Sequence, residues 1–228
     1  QVMAADISAE TTSAIVATLE KILPGETYTG LAESPIPGVY KVSLEGGRFL
    51  FITPDGEFVL SGELYQVLES GVVSLSENER KVGRKALLAE ITPADTITFS
   101  AKGKTRAVLY VFTDVDCGYC QKLHQEVPAL NDKGVEVRYL AFPRSGLASV
   151  SYAKIATAWC DKNPQQALTD LKSGKKLKLN VCDDNSVAKD YQMGVDMGVE
   201  GTPALVLADG TMIPGYKPAE ELLEILGL

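Results

Sequence analysis

Four cysteines are the residues most able to do chemistry in this chain, and two of them form the sequence Cys117-Gly118-Tyr119-Cys120. An apolar run over residues 107–113, typical of a strand buried on both faces, leads into the first cysteine, and residues 121–131 have a helical pattern. The unpaired N–H groups at a helix start carry partial positive charge, which stabilises a thiolate there. Because the thiolate attacks in thiol–disulfide exchange, the pattern predicts a redox-active pair.

The spacing gives the two sulfurs different roles. Cys120 lies one helical turn beyond Cys117 on the same face, so it can attack a mixed disulfide formed at Cys117. We therefore predict that Cys117 is the entering nucleophile and Cys120 the resolving thiol. The adjacent Asp116 would disfavour the Cys117 thiolate, whereas Lys122 in the first turn would oppose that effect. The sequence leaves open which of these two charges dominates the pKa of Cys117.

Two other interpretations of this cysteine pair remain. Cys-x-x-Cys is also half of many zinc sites, and the single histidine, His124, falls on the same helical face. A zinc site made from Cys117, Cys120 and His124 would distort the helix, so we predict no metal. The pair could also be a purely structural disulfide. We expect His124 to be a half-exposed helix residue that could tune the thiol.

Two further features lie outside the pair. Cys160 and Cys182 are far apart in sequence and form either a structural disulfide, which we predict, or two buried thiols. An oxidising compartment would explain the disulfide. Thr202-Pro203 opens a second apolar run over 204–207, a position where proline is tolerated because it need not donate to the ladder. The bond between them could be cis or trans.

The composition limits the class of protein. The chain has 228 residues, 45% hydrophobic and 23% charged, which is typical of one large or two small globular domains. Its formal charge of -8 repels phosphate backbones, so we predict no nucleic-acid partner, and the basic stretch over 172–178 is interpreted as a solvated loop face. No apolar run is long enough to span a bilayer. The start at Gln1 suggests a removed leader or an engineered terminus.

The elements that must position these residues fall into two groups. The first is a small α+β unit with a polar linker helix after it, in which Ser76 is the expected cap and Thr92-Pro93 the expected end. Such a unit is too small to bury a large core alone, so it needs a partner. The second, from about Thr96, has the order β-α-β, helices, β-β-α of an α/β domain. The predicted helices cover 7–23, 76–90, 121–131, 148–161, 164–172, 185–194 and 218–226; the predicted strands cover 39–44, 48–53, 57–60, 107–113, 135–142, 204–207 and 211–214, with turns at Gly46-Gly47 and 54–56.

Several separated motifs occur together in the second half of the chain. They are residues 111–114, Cys117-Gly118-Tyr119-Cys120 with 122–124, 138–144, 201–204 and 214–216. In this order they resemble the DsbC/DsbG family of bacterial periplasmic disulfide isomerases. The likeness is specific over 96–228 and weaker over 1–70.

The resemblance implies an α+β N-terminal dimerisation domain over 1–70, a linker helix over 71–95 and an α/β thioredoxin-like catalytic domain with a helical insertion over 96–228. It implies a V-shaped homodimer in the periplasm and a DsbD-type membrane reductant. It also implies a cis Thr202–Pro203 bond that faces the cysteines and contacts substrate together with Gly118 and Tyr119. No cofactor is expected. Asp116 departs from the family pattern and leaves the redox potential and substrate range open.

The function this implies is isomerisation and reduction of incorrect disulfides in misfolded proteins. Two alternatives stay open: a DsbG-like reductase of oxidised single cysteines, and a chaperone-like module that binds unfolded chains without chemistry. Gly118-Tyr119 between the two cysteines favours the isomerase modestly.

Overall fold

The chain divides between Gly83 and Arg84 into two units, and the computed structural model describes residues 7–44 and 48–228. Within these residues no helix has both the length and the apolarity needed to cross a bilayer. The expected turn at Gly46-Gly47 lies outside the described residues.

The first unit packs one helix on an antiparallel sheet. Ser8 caps the helix, because its hydroxyl oxygen accepts the Thr11 N–H at 3.1 Å. Ile15 and Leu19, four residues apart on one face, are buried against strand residues such as Val42 and Ile52. The elements are α1 (Ala9–Ile22), β1 (Tyr28–Glu33), β2 (Tyr40–Leu44), β3 (Phe49–Ile52) and β4 (Val59–Leu60), with sheet order β1-β2-β3-β4.

A separate hairpin follows, formed by β5 (Tyr65–Leu68) and β6 (Gly71–Ser74). Val67 and Val72 lie directly opposite each other in its register, and their side chains are 79% and 65% exposed. Paired positions of an antiparallel ladder project to the same face, so the hairpin presents an uncovered apolar face. Neither this hairpin nor β1 was predicted.

Helix α2 (Leu75–Leu88) runs through the division, with Arg84 to Leu88 in the second unit. The expectation that Ser76 caps it is wrong. Ser74 Oγ accepts the Glu77 N–H at 3.0 Å, whereas the buried Ser76 accepts the Leu64 N–H at 2.7 Å. The helix ends at Leu88, before Thr92-Pro93, and Pro93–Asp95 form a short 3₁₀ turn.

A five-stranded mixed sheet organises the second unit, in the order β11-β10-β8-β9-β7. Strands β8 and β9 are parallel, and the other pairs are antiparallel. The central β8 is covered on both faces as predicted: Leu109 and Val111 belong to one buried cluster and Tyr110 and Phe112 to the other. The strands are β7 (Ile97–Phe99), β8 (Ala107–Thr113), β9 (Val135–Ala141), β10 (Ala204–Leu207) and β11 (Met212–Pro214).

Five helices complete this unit, three of them between β9 and β10. Helix α3 follows β8 and packs on β9 and on the closing helix, so it carries the cysteine pair along one edge of the core. The helices are α3 (Gly118–Asp132), α4 (Val150–Trp159), α5 (Pro164–Lys172), α6 (Val187–Asp196) and α7 (Ala219–Ile225).

Candidate active site at the start of helix α3

Cys117 is the N-cap residue of α3, and β8 delivers the chain to it through the loop 114–116. Its sulfur accepts the backbone N–H of Cys120 at 3.4 Å. Both thiols are free and buried in the folded chain. An unpaired N–H group of the first helical turn is therefore directed at the Cys117 sulfur, the position at which a negative charge is most stabilised.

The segment before β10 supplies the opposite wall of the site. The Cys117 sulfur lies 3.2 Å from the carbonyl oxygen of Thr202, to which the protonated thiol donates, and the Thr202–Pro203 bond is cis. Among the described residues no group hydrogen-bonds the buried Thr202 hydroxyl. Cys117 and Thr202, 85 positions apart in sequence, are therefore in contact. The Thr202 hydroxyl remains available to hydrogen-bond a bound molecule.

The two thiols titrate in opposite directions. The hydrogen bond with the Cys120 side chain lowers the pKa of Cys117 to about 5 against the opposing effect of burial, and the Cys120 N–H and the charge of Arg144 act in the same direction as that hydrogen bond. Burial raises the pKa of Cys120, and its hydrogen bond to Cys117 acts the same way. Near neutral pH the pair therefore consists of a reactive thiolate at Cys117 and a protonated thiol at Cys120.

A buried carboxylate holds the loop that leads to Cys117. Asp114 accepts the backbone N–H groups of Asp116 at 2.8 Å and Arg144 at 2.9 Å, and the Ser151 hydroxyl at 2.7 Å. Burial raises the pKa of Asp114, but these hydrogen bonds and the Arg144 charge outweigh it, so the pKa falls below its usual value. The ionised carboxylate joins the loop after β8, the loop after β9 and helix α4 around the cysteines.

Asp116 and Lys122, the two charges expected to act on the pKa of Cys117, each have another partner. Both oxygens of the partly exposed Asp116 carboxylate accept from Lys154 Nζ, at 2.8 and 2.9 Å. Lys122 instead lies over the Tyr216 ring, 4.5 Å from its centroid. Arg144, which the sequence analysis did not single out, supplies a positive charge that lowers the pKa of Cys117.

Comparisons with known proteins decide the family. A family model described as "Thioredoxin-like domain" matches residues 92–228, and one described as "Disulfide bond isomerase protein N-terminal domain" matches residues 6–77. The thiol:disulfide interchange protein DsbC of Escherichia coli is 37% identical over 216 residues, which cover 94% of this chain and 86% of that protein. That of Haemophilus influenzae is 34% identical over 198 residues, covering 86% and 82%.

The chain belongs to the DsbC family. It is a thiol:disulfide interchange enzyme, as the motifs indicated. A crystal structure of a disulfide interchange protein from Neisseria gonorrhoeae, 30% identical, covers 60% of this chain and 96% of that one with a TM-score of 0.53. The predicted fold class, an N-terminal α+β domain followed by a thioredoxin-like domain with a helical insertion, is confirmed.

Next to the DsbC-family cysteines, two residues of the motif face open space. The Tyr119 side chain is 65% exposed, and its ring stacks on Tyr216 with centroids 6.3 Å apart. A Cβ added at Gly118 would meet no atom within 4 Å. The surface beside Cys117 is therefore open on the motif side.

His124 lies deeper than expected in this DsbC-family domain. It is 9% exposed, not half-exposed, and its ring nitrogens are each 3.0 Å from a hydroxyl, Nδ1 from Tyr139 and Nε2 from Thr169. Burial, with the nearby Lys172 charge, lowers its pKa to about 4, so the ring is neutral at pH 7. With both nitrogens engaged the zinc alternative has no geometric support, and the described residues contain no group of three metal-ligating side chains.

The other two cysteines are joined. Cys160, at the C-terminal end of α4, forms a disulfide with Cys182, with an S–S distance of 2.03 Å. The bond ties α4 to the segment that precedes α6. Cys160 and Cys182 are therefore not free thiols, the second of the two interpretations of this pair.

Lys172 departs from its expected place on a solvated face. This last residue of α5 is 3% exposed, and its Nζ donates to Thr113 Oγ1 at 2.6 Å. Composition suggested a loop surface because lysines cluster over 172–178. The helical spacing of Leu168, Leu171 and Lys172, which are all buried, was the signal that could have shown otherwise.

Proposed function

We propose that this enzyme isomerises and reduces incorrect disulfides in misfolded secreted or periplasmic proteins, with Cys117 as nucleophile and Cys120 as resolving thiol. The observation that carries the assignment is the Cys117 sulfur at the start of α3, against the Thr202 carbonyl and with the lower pKa of the pair. Cys120 is the more buried group and stays protonated, as the second participant should.

The reaction begins when the Cys117 thiolate attacks one sulfur of a substrate disulfide. A Cys117–substrate disulfide forms, the substrate bond breaks, and the other substrate sulfur departs as a thiolate. If a different substrate thiolate then attacks this mixed disulfide, the substrate is isomerised and Cys117 is regenerated. If Cys120 attacks Cys117 instead, the substrate leaves reduced and the enzyme carries the Cys117–Cys120 disulfide.

We assign substrate contact to Gly118 and Tyr119 on one side of Cys117 and to Thr202 and Pro203 on the other. The open space at Gly118 and the exposed Tyr119 ring support the first pair. The unpaired Thr202 hydroxyl supports the second, as does a cavity of about 200 Å³ that Thr202 and Pro203 line with residues such as Met212. An extended substrate segment would cross Cys117 between these two groups.

We further propose a homodimer built by residues 1–70, with 71–95 as linker and 96–228 as catalytic domain. The match to the N-terminal domain of disulfide isomerases supports self-association, as does the exposed Val67, which pairs with the exposed Val72 in strand β6 at the start of the linker range. The Cys160–Cys182 disulfide fits an oxidising compartment such as the periplasm. There a DsbD-type membrane reductant would return two electrons to the Cys117–Cys120 disulfide after each reduction.

Two single variants test the roles. Cys117→Ser should abolish exchange, because the nucleophile is gone. Cys120→Ser should accumulate covalent mixed disulfides, because capture proceeds while release by the enzyme fails. Non-reducing gels and mass spectrometry after incubation with a scrambled multi-disulfide protein measure both. Equal and complete loss of capture in the two variants would contradict the assignment.

Comparison of two substrates separates the proposed activity from its alternatives. The intact protein should reactivate a scrambled multi-disulfide protein, and it should do so faster than its rate of insulin reduction alone would account for. Preference for sulfenic acids on single cysteines would favour the DsbG-like reductase. Protection from aggregation that persists after both motif thiols are blocked with iodoacetamide, with no exchange in the unblocked protein, would favour a binding module.

A further inference from the structure

A buried lysine lies beside the cysteine pair, and the reaction steps above do not use it. Lys172 ends α5, its Nζ donates to Thr113 Oγ1 at 2.6 Å, and it lies 5.2 Å from the centroid of the Tyr139 ring. The Tyr139 hydroxyl is in turn 3.0 Å from Nδ1 of His124, which lies one helical turn beyond Cys120 on α3. These contacts place the ammonium beside the face of α3 that carries Cys120.

The charge of Lys172 has no carboxylate partner. Among residues 7–44 and 48–228 no acidic side chain lies within ion-pairing distance of its Nζ. A buried ammonium is costly unless an anion or several hydrogen-bond acceptors compensate it. Burial lowers the pKa of Lys172 to about 8, while Cys120, Cys117 and Asp114, in that order, act to raise it. The anion that interacts most strongly with this ammonium is thus the ionised form of Cys120.

Other groups around Lys172 do not compete for this role. His124 is neutral, and burial, with the nearby Cys120, raises the pKa of Tyr139 well above its usual value, so that ring stays un-ionised. Asp114 is held by Arg144 and Ser151. On its own helix the nearest acid, Asp170, pairs with Lys175.

We propose that Lys172 is a positioning residue for the resolving step, its buried ammonium serving as the counter-charge for the thiolate that Cys120 must become. The proposal rests on the roles assigned to Cys117 and Cys120 and deepens them. It answers a difficulty that burial creates: Cys120 is too buried to ionise readily, yet it must be ionised to attack.

The step is balanced as follows. Cys120 gives its proton to a base in solvent while Lys172 keeps its own, and the thiolate attacks the Cys117 sulfur of the mixed disulfide. The Cys117–Cys120 bond forms, the bond to the substrate sulfur breaks, and that sulfur departs as a thiolate that takes a proton from water. In this step Cys120 is oxidised and the substrate sulfur is reduced by the same amount, so that over capture and resolution together the enzyme dithiol loses two electrons and the substrate disulfide gains two.

The pair predicts a particular pH profile. Below about pH 8 Lys172 is charged, so the resolving rate should rise tenfold per pH unit as Cys120 loses its proton. Above that pH, the main state has a Cys120 thiol and a neutral Lys172 amine. The reactive state, with a Cys120 thiolate and a Lys172 ammonium, carries the same number of protons, so its fraction no longer depends on pH. Because Cys117 carries no charge in the mixed disulfide, its contribution to the pKa of Lys172 is absent there, and the wild-type rate should level off at or below about pH 8.

The test separates capture from resolution in single-turnover experiments with a fluorescent disulfide peptide. Capture is measured in the Cys120→Ser background, and release with Cys120 present, each with Lys172 or with Lys172→Met. Since a nearby opposite charge shifts a pKa by about 1–3 units, Lys172→Met should slow release about 10-fold or more and remove the plateau. Capture should change less than about 3-fold, because Cys117 has its own stabilising contacts.

Two further variants control the interpretation. Lys172→Gln keeps an N–H donor for Thr113 but no charge, and should resemble Lys172→Met. Lys175→Met removes an exposed lysine from the same segment and should leave release unchanged. Circular dichroism and an intact Cys160–Cys182 disulfide establish that each variant is folded. Wild-type release in Lys172→Met, or full rescue by Lys172→Gln, would overturn this role while the Cys117 and Cys120 assignments stand; loss of capture in Cys120→Ser would overturn those assignments instead.

Discussion

Cys117 and Cys120 are three residues apart, yet their sulfurs have different surroundings. The Cys117 sulfur accepts an N–H from the first turn of α3 and contacts Thr202, and the charge of Arg144 lowers its pKa. The Cys120 sulfur is fully buried. At the scale of single residues, therefore, the division of labour between the sulfurs comes from what surrounds each one. The motif alone places both at the helix start but does not distinguish their pKa values.

Alkylation kinetics should report this asymmetry. Because the pKa of Cys117 is lowered to about 5, its thiolate is present above that pH and is lost as the pH falls through it. The rate of iodoacetamide reaction with the reduced protein should be half-maximal near pH 5 and level between about pH 6 and 7, far below the ordinary thiol midpoint of about 8.5.

Arg144→Met should move that midpoint upward, since it removes a positive charge that acts on Cys117. Arg106→Met removes an exposed arginine and serves as the matched control with an unchanged midpoint. A wild-type midpoint near 8.5 would show that the helix-start contacts do not activate the thiol.

Elements of the second unit are held in place by two different links. Asp114 joins the loops after β8 and β9 to α4 by hydrogen bonds, and the Cys160–Cys182 disulfide joins the end of α4 to the segment before α6. The first link positions the reacting loop directly. The second fixes the inserted helices that pack beside it.

Loss of the disulfide should cost measurable stability. Replacing both Cys160 and Cys182 with alanine frees a loop of 22 residues, which the chain-entropy account equates with about 3 kcal/mol in the free energy of unfolding. Trp159, the single tryptophan and the neighbour of Cys160, provides the signal for urea unfolding. Ser100→Ala changes a residue on the exposed surface and serves as the control. No change in the urea midpoint would contradict the expected contribution.

Long periodic elements and the short strands beside clear turn motifs were predictable, whereas β1, β7 and the β5–β6 hairpin were not. Strand β8 is an unbroken apolar run and α3 a full helix, so both follow from local pattern. Strand β7 has three residues and exists because Ile97 and Phe99 pair with β9, forty residues later in the chain. Local propensity does not carry that information.

The site divides in the same way. The cysteine pair and Thr202-Pro203 are readable as motifs, whereas the placement of Arg144, Ser151 and Lys172 depends on how loops and helices meet. His124 was expected at a half-exposed position because its own helix leaves it on the motif face; Tyr139 and Thr169, from other elements, bury it.

At the scale of the whole molecule, the two units of the chain match different family models, an isomerase N-terminal domain and a thioredoxin-like domain. One exchange site has a small contact area, while two sites on one dimer can hold a misfolded chain by simultaneous contacts. We therefore expect the uncovered face of the β5–β6 hairpin to matter for isomerisation rather than for chemistry at Cys117.

Sedimentation equilibrium should give twice the 24.4 kDa chain mass at micromolar concentration. The double variant Val67→Lys/Val72→Glu places opposite charges across the hairpin, which preserves its pairing but should prevent an apolar face from associating. We expect a monomer that reduces insulin normally and isomerises a scrambled protein poorly. Val82→Glu, on an exposed part of α2, is the matched control and should remain dimeric. A monomeric wild-type chain that isomerises fully would contradict the dimer argument.

The low pKa of Cys117 also has a consequence for the direction of electron flow. A sulfur that is stable as a thiolate is a good leaving group, so any disulfide that includes Cys117 is broken easily by another thiol. Stabilising the reduced form in this way raises the reduction potential of the Cys117–Cys120 couple. We therefore expect the enzyme to release its substrates readily and to accept electrons readily, which suits a catalyst that exchanges disulfides, and in an oxidising compartment it would need a reductant to stay active.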